Sequence, residues 1–268
     1  VSGDRAKLVL CGATGRTGNA VAQALASRDD IELVALVAPS VATTPTRPLP
    51  DGVPAFATLE AALRDSAPDT LLDLTHAEPA LEHLQLALDH GLHAVVGATG
   101  FADGALDALG ERFAAAERGL LLVPNFSIGS VLATRMAYGL ATYFPDAEIV
   151  EVHHDGKRDS PSGTAIRTAQ MIALARRRSE LVPTVSDVDP AAAGESPARG
   201  ESVEGVPVHA LRLPGATAHQ EVVFGSPGEL VTIRHDAIDR SCYAAGVVIA
   251  SRRVRDIHGL EIGLEHAL

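Results

Sequence analysis

The stretch LVLCGATGRTGNAVAQAL, Leu8 to Leu25, sets the architecture of the first half of the chain. An apolar run, Lys7 to Cys11, meets three glycines at Gly12, Gly15 and Gly18, and a helical pattern continues to about Ser27. Strand, glycine turn and helix in that order form a junction suited to a dinucleotide. Glycines let backbone approach a pyrophosphate, and the helix start offers unpaired N–H groups and a positive dipole end. The spacing is G-x-x-G-x-x-G rather than the commoner G-x-G-x-x-G, so the flanking strand and helix carry the argument. The alternative is a purely structural corner.

Similar units recur after it. Ile31 to Val37 reads as a second strand, and Pro39 to Pro54 as a loop rich in Pro and Thr. Further buried strands are expected at Thr70 to Thr75, His93 to Val96 and Leu120 to Val123, separated by helices around Ala80 to His90 and Asp103 to Arg118. Continuous apolar strands alternating with helices indicate a doubly wound parallel sheet. After Pro124 the pattern changes. A helix from Ser127 to about Tyr143, a strand from Glu148 to His154 and a helix from Ser162 to Arg178 precede a long loop over 182–205. Strands then follow at Val206 to Leu213, His219 to Phe224 and Glu229 to His235, and a helix at Asp239 to Arg253. The expectation is an α/β dinucleotide-binding domain over 1–126, then an α+β domain over 127–236 with a mixed or antiparallel sheet.

Composition narrows the function. The 268 residues are 46% hydrophobic and 21% charged, with 22 basic against 34 acidic residues and a net charge of −12. That balance argues against a nucleic-acid or anionic-membrane surface, each of which needs a basic patch. Aromatics are only 3% with no Trp, which disfavours base stacking. No apolar run approaches the ~20 residues of a membrane helix. Two cysteines, Cys11 and Cys242, make no disulfide framework or metal spacing, so a reducing cytoplasm is expected.

A fold of this kind that selects NAD usually carries an acidic residue at the end of its second strand. Here Leu36, Val37 and Ala38 offer none. Arg16, inside the glycine turn, is placed to pair with a 2′-phosphate, so NADPH is the preferred cofactor and NADH the other candidate. Its plain reading is a solvated loop cation.

The chemistry concentrates in EVHHDGKRDSPSGTA, Glu151 to Ala165. A histidine exchanges protons near neutral pH, and a lysine fixes an anion or supplies a proton. Ser162, Gly163 and Thr164 at a helix start form a carboxylate or phosphate cradle from backbone N–H groups. Of 22 basic residues only Lys7 and Lys157 are lysines, which sets Lys157 apart in a chain that otherwise uses arginine. Alternation puts His153 on the face of Ile149 and Glu151, and His154 on that of Val150 and Val152. Both can serve one pocket only if the strand ends there, as Asp155-Gly156 suggests; otherwise one is a buried structural histidine. No Cys, Asp or Glu sits at a convincing ligand spacing, so no metal is expected.

At these residues the chain resembles the 4-hydroxy-tetrahydrodipicolinate reductase (dihydrodipicolinate reductase) family. The matching blocks are GATGRTG at 12–18, DLTHAEP at 73–79, HAVVGATGF at 93–101, VPNFSIGSVL at 123–132, EVHHDGKRDSPSGTA at 151–165, VHALRLPGATAHQEVVFG at 208–225 and LVTIRHDAIDR at 230–240. The resemblance implies an NAD(P)H-dependent reductase of a cyclic dicarboxylate imine in lysine and diaminopimelate biosynthesis. It also implies a homotetramer, with residues 237–268 completing the first domain and 127–236 serving substrate binding and oligomerisation. Carried onto matching positions, His153 is the general acid and Lys157 a second proton donor or anion clamp. His154, Ser162, Gly163, Thr164 and Thr99 are substrate contacts. Gly12, Ala13, Thr14, Gly15, Arg16, Thr17, Gly97, Ala98, Thr99, Val123, Pro124, Asn125 and Phe126 are cofactor contacts. The chain departs from the family pattern at Gly156, where a histidine is common, and at Ala98, where a threonine is common. Those departures keep a paralogous reductase of another cyclic imine as the alternative, with a non-catalytic NADP-binding sensor behind it.

Overall fold

In a computed structural model that describes residues 5–43, 47–182 and 197–268, the chain forms two compact units, 1–128 with 240–268, and 129–239. Seven strands build the first: β1 (Ala6–Cys11), β2 (Ile31–Val37), β3 (Ala55–Phe56), β4 (Thr70–Asp73), β5 (His93–Val96), β6 (Gly119–Leu122) and β12 (Gly259–Ile262). All pair in parallel, in the order β12-β6-β5-β4-β1-β2-β3. Omitting β12, this is the 3-2-1-4-5-6 order of dinucleotide-binding sheets. The strand order reverses beside β1, so a crevice belongs at the carboxyl end of β1, where the glycine turn lies.

Helices cover both faces, which is why the strands are apolar without alternation. The helices α2 (Leu59–Asp65), α3 (Ala77–Asp89) and α4 (Asp107–Ala115) bury Leu59, Ala62, Leu84, Ala87 and Phe113 against Val9, Cys11, Leu71, Ala94 and Val96. On α1 (Arg16–Ala26) the buried residues Gly18, Val21, Ala22 and Leu25 fall at helical spacing on one stripe. The sequence reading missed β3, α2 and β12, and α4 is shorter than the expected 103–118. A Cβ on Gly110 would come 2.7 Å from Leu260 Cβ, so α4 lies hard against β12 and closes the sheet edge.

The second unit is a mixed sheet, β11-β10-β7-β9-β8. Its strands are β7 (Asp146–His153), β8 (Glu201–Val203), β9 (Val206–Arg212), β10 (Ala218–Ser226) and β11 (Glu229–Ala237), and only β7 and β9 pair in parallel. The helices α5 (Ile128–Leu140) and α6 (Gly163–Arg178) pack on one face, joining Ala137, Ala165, Ala169 and Ile172 to Ile149, Val208, Val222 and Phe224. Among the described residues of the unit no helix covers the other face, and β7 alternates accordingly. The loop expected over 182–205 needs correction at its end, where 201–203 pairs with β9 as β8. Residues 183–196 of that expectation lie outside the described residues. The helix expected from Asp239 is a 3-10 turn at Arg240–Cys242 followed by α7 (Tyr243–Arg253).

Candidate active site

In the first unit the predicted cofactor residues share the carboxyl edge of the sheet. Gly12 has φ +87°, and a Cβ on it would lie 2.8 Å from the carbonyl oxygen of Leu74, so only glycine lets the turn after β1 pass the turn after β4. The N–H groups of Gly12 and Ala13 donate to Val37 O at 2.9 and 3.2 Å, and Gly15 N–H donates to Gly12 O at 3.0 Å. Gly15 is the N-cap of α1, which has no side-chain cap and no acidic residue in its first turn. The first N–H groups of α1 have no partner within the helix and face an open, exposed turn, which fits a bound pyrophosphate.

One edge further, Gly97 is wedged between Leu74 and Phe126, either of which a Cβ would meet at 2.8 Å. Ala13, Ala98, Val123 and Phe126 are buried, so they offer a ligand backbone rather than side chain. Ala98 packs within the core at 3% exposure, so its own side chain adds nothing to the exposed edge. Gly15, Arg16, Thr99 and Pro124 are exposed, whereas Thr14, Thr17 and Asn125 are half-buried. Asn125 Oδ1 accepts Ser127 N–H at 2.9 Å.

Where an acidic ribose contact would stand, Val37 and Ala38 are buried and Ser40 Oγ meets Thr14 Oγ1 at 2.8 Å. Arg47, absent from the sequence reading, donates from Nη1 to Thr14 O at 3.0 Å and brings a second cation to the glycine turn.

Beneath this edge Asp73 is wholly buried and accepts from Thr75 N–H (2.9 Å), Thr75 Oγ1 (2.5 Å) and His83 Nδ1 (2.6 Å). Cys11, Asp73 and His83 each place a potential ligand atom within 4.8 Å of the others. Burial, with Asp73 and Glu60, pushes the Cys11 thiol well above its ordinary range, which disfavours the thiolate a metal needs. Asp73 already fixes the turn against which Gly12 packs, and that structural role accounts for the group.

In the second unit the predicted residues gather around one they did not include. β7 ends at His153, and the turn over 155–156 follows. Glu151, fully buried two residues before, accepts from His153 Nδ1 at 2.5 Å and from both terminal nitrogens of Arg212 at 2.8 and 2.9 Å. Burial pushes its carboxyl up, but hydrogen bonds and charge from His153 and Arg212 outweigh that and hold it below the ordinary range. Ser162 N–H also donates to Glu151, at 3.1 Å.

Ser162 caps α6, its Oγ accepting Ala165 N–H at 3.2 Å, so this residue builds the helix start with both groups. Gly163 opens the helix in exposed space, and a Cβ there would meet nothing within 4 Å. Thr164, the next position, is half-buried, and its carbonyl accepts Thr168 Oγ1 at 2.9 Å. Gln220 Nε2 donates to that same hydroxyl at 3.0 Å and braces the helix start from β10.

His154 begins the turn, its carbonyl accepting Lys157 N–H at 3.1 Å. A Cβ at Gly156 would lie 3.4 Å from His154 Nδ1, an ordinary contact, so packing does not demand glycine there. Lys157 Nζ is held by both oxygens of Asp159 at 2.7 and 2.9 Å, and that hydrogen bond lowers the Asp159 carboxyl. Arg212 Nη2 reaches the Asp159 carbonyl at 2.6 Å, tying the lysine loop to Glu151. The cluster can therefore protonate an acceptor and hold anions.

Family models described as "Dihydrodipicolinate reductase, N-terminus" and "Dihydrodipicolinate reductase, C-terminus" match residues 6–126 and 129–268. The chain is 47% identical over 208 residues to 4-hydroxy-tetrahydrodipicolinate reductase of Mycolicibacterium vanbaalenii, covering 77% of this chain and 83% of that one. It is 41% identical to the enzyme of that name from Streptomyces coelicolor, covering 98% and 97%. A dipicolinate-bound dihydrodipicolinate reductase from Paenisporosarcina sp. TG-14 superposes with a TM-score of 0.84 at 36% identity, covering 99% of this chain and 100% of that one.

Proposed function

The chain belongs to the dihydrodipicolinate reductase family, a family of NAD(P)H-dependent oxidoreductases, and on that footing we propose how its residues carry the reaction. The substrate is the cyclic conjugated imine derived from 4-hydroxy-tetrahydrodipicolinate, and the product is tetrahydrodipicolinate, for lysine and diaminopimelate synthesis. The observation that carries this reading is the Glu151–Arg212 pair. It joins His153, the start of α6 and, through Asp159, the loop of Lys157.

A bound nicotinamide supplies the hydride. The open N–H groups at the start of α1 would hold the pyrophosphate of the dinucleotide. His153 gives a proton to the ring as electron density arrives, a contribution of typically ~10²–10⁴-fold. The Lys157 ammonium faces the charge that develops. His154 and the N–H groups of Gly163 and Thr164 take the carboxylates, and Thr99 is a further substrate contact on the strength of the family resemblance. The bound dipicolinate of the Paenisporosarcina relative, a planar ring with two carboxylates, supports a substrate of this class. No helix among the described residues is long and apolar enough to cross a membrane. The cytoplasm and a homotetramer complete the reading, on family resemblance.

The direct test is oxidation of NADPH and NADH in parallel, with substrate freshly generated by dihydrodipicolinate synthase. Turnover is expected with both. Tight NADPH binding without turnover on this substrate, but with turnover on a simple cyclic imine, would shift the assignment to a paralogue.

Cofactor preference is tested by binding. Arg47→Ala is expected to weaken NADPH about tenfold in a fluorescence titration, the loss of one charge-assisted contact, and to leave NADH unchanged. Equal weakening of both would place Arg47 in support of the glycine turn instead.

The cradle has its own test. Because a Cβ at Gly163 meets nothing within the protein, Gly163→Ala is expected to keep the melting temperature and raise the substrate KM about tenfold. An unchanged KM would take the substrate carboxylate away from this helix start.

A further inference from the structure

We propose, resting on the reading of His153 as proton donor, that Glu151 is the positioning residue for that donor and that Arg212 fixes the carboxylate in place. An ionised carboxylate can only accept, so the contact to Glu151 puts a proton on His153 Nδ1 and leaves Nε2 to meet the substrate. In that arrangement a second proton makes an imidazolium whose charge the carboxylate balances. It can then release the Nε2 proton without turning.

The carboxylate is placed for this more than for holding strands together. Its Oε1 takes Ser162 N–H and Arg212 Nη2, and its Oε2 takes His153 Nδ1 and Arg212 Nη1. Four donors saturate a group with no solvent exposure, so the carboxylate cannot leave the imidazole without breaking its two-pronged contact with Arg212. The parallel register sets His153 opposite Arg212, which lets a residue 61 positions from Glu151 complete the site. Among the described residues, Glu151 on its own strand, His154 after it and Arg212 opposite it on β9 are the titratable and charged neighbours of His153; Arg212 also ties in the loop of the Lys157–Asp159 pair, and Ala218, opposite on β10, is neutral.

The experiment is a double-mutant cycle on the full chain, with Glu151→Gln made in the wild type and in a His153→Gln background. In the wild type, kcat is expected to fall about 10²-fold with little change in substrate KM, the lower end of a positioned general acid. In the His153→Gln background the same substitution is expected to cost nothing further. Equal losses in both backgrounds would make Glu151 a structural tie and overturn the proposal. If His153→Gln alone retains turnover, the reading of the donor fails first and this inference with it. The melting transition and the substrate KM report folding of the second unit throughout, since all three substituted positions lie in it. Should Glu151→Gln not fold, Arg212→Lys keeps the charge but loses the fork. It is then expected to lower kcat only where His153 is present, and an equal loss without His153 overturns the proposal.

Discussion

Replacing Lys157 with alanine is expected to lower kcat about 10²- to 10³-fold, the usual cost of removing one charge-stabilising donor, while NADPH affinity stays unchanged. Lys157 is one of two lysines in the chain, and the other, Lys7, lies in β1 with its backbone N–H on Asp69. An ammonium is a compact, strongly hydrated point charge. Its partner here, Asp159, is exposed at the side chain, whereas Lys157 keeps only 21% exposure. The carboxylate therefore steers the arm from the solvent side, on the loop that follows His153 and His154. As hydride reaches a conjugated imine the ring gains negative charge, so a cation beside it favours the transition state over the ground state.

The split between kinetic constants decides what the lysine does. A fall in kcat with KM nearly constant identifies interaction with developing charge. A rise in KM at constant kcat identifies a clamp on a carboxylate already present in the ground state. Lys157→Arg sharpens the result, because it keeps the charge but spreads it over a longer, planar fork that Asp159 engages differently. Recovery of less than a tenth of the lost turnover is expected. Unchanged turnover in Lys157→Ala, assayed with fresh substrate, contradicts the assignment outright.

What the sequence shows of this protein is what is local in it. The glycine turn, the apolar four-residue strands and the run from Glu151 to Ala165 each carry their meaning in adjacent residues. The arrangement around β7 was legible in part. Alternation placed Glu151 and His153 on one face, and a carboxylate on the buried face of a strand requires a partner. The identity of that partner was not legible. Arg212 reaches Glu151 only because β7 and β9 pair in parallel, and nothing near Arg212 announces that register. Arg47 was hidden for the same reason, standing 33 residues from the carbonyl it binds. The strand β3 has two residues, too few for a pattern to show, and in β12 Glu261 interrupts the apolar run that marks the other four-residue strands, so it pairs only because β6 offers it an edge. The expected helix over 103–118 was too long because periodicity persists through turns that hydrogen bonding does not sustain.

Substituting Gly18 with alanine is expected to reduce NADPH affinity by more than tenfold and to lower the melting temperature by roughly 2–12 °C. That range corresponds to an overpacking cost of about 1–3 kcal/mol in a chain of this size. A Cβ on Gly18 would sit 2.1 Å from the carbonyl oxygen of Gly12 and 2.8 Å from its carbonyl carbon. Both are backbone atoms, so no rotamer change relieves the overlap, and α1 must withdraw from the end of β1. The same Gly12 oxygen accepts Gly15 N–H, so the withdrawal also opens the turn that aims the first N–H groups of α1. Gly15→Ala makes the comparison. Its Cβ would approach that oxygen at 3.1 Å, which a shift of a few tenths of an ångström accommodates, so the fold is expected to survive. Any loss of NADPH affinity in Gly15→Ala then measures crowding of the ligand, whereas the loss in Gly18→Ala measures the separation of helix from strand. If Gly18→Ala binds NADPH as the wild type does, close helix–strand contact is not what builds this phosphate site. The N–H groups of α1 would then have to be reached from a different approach.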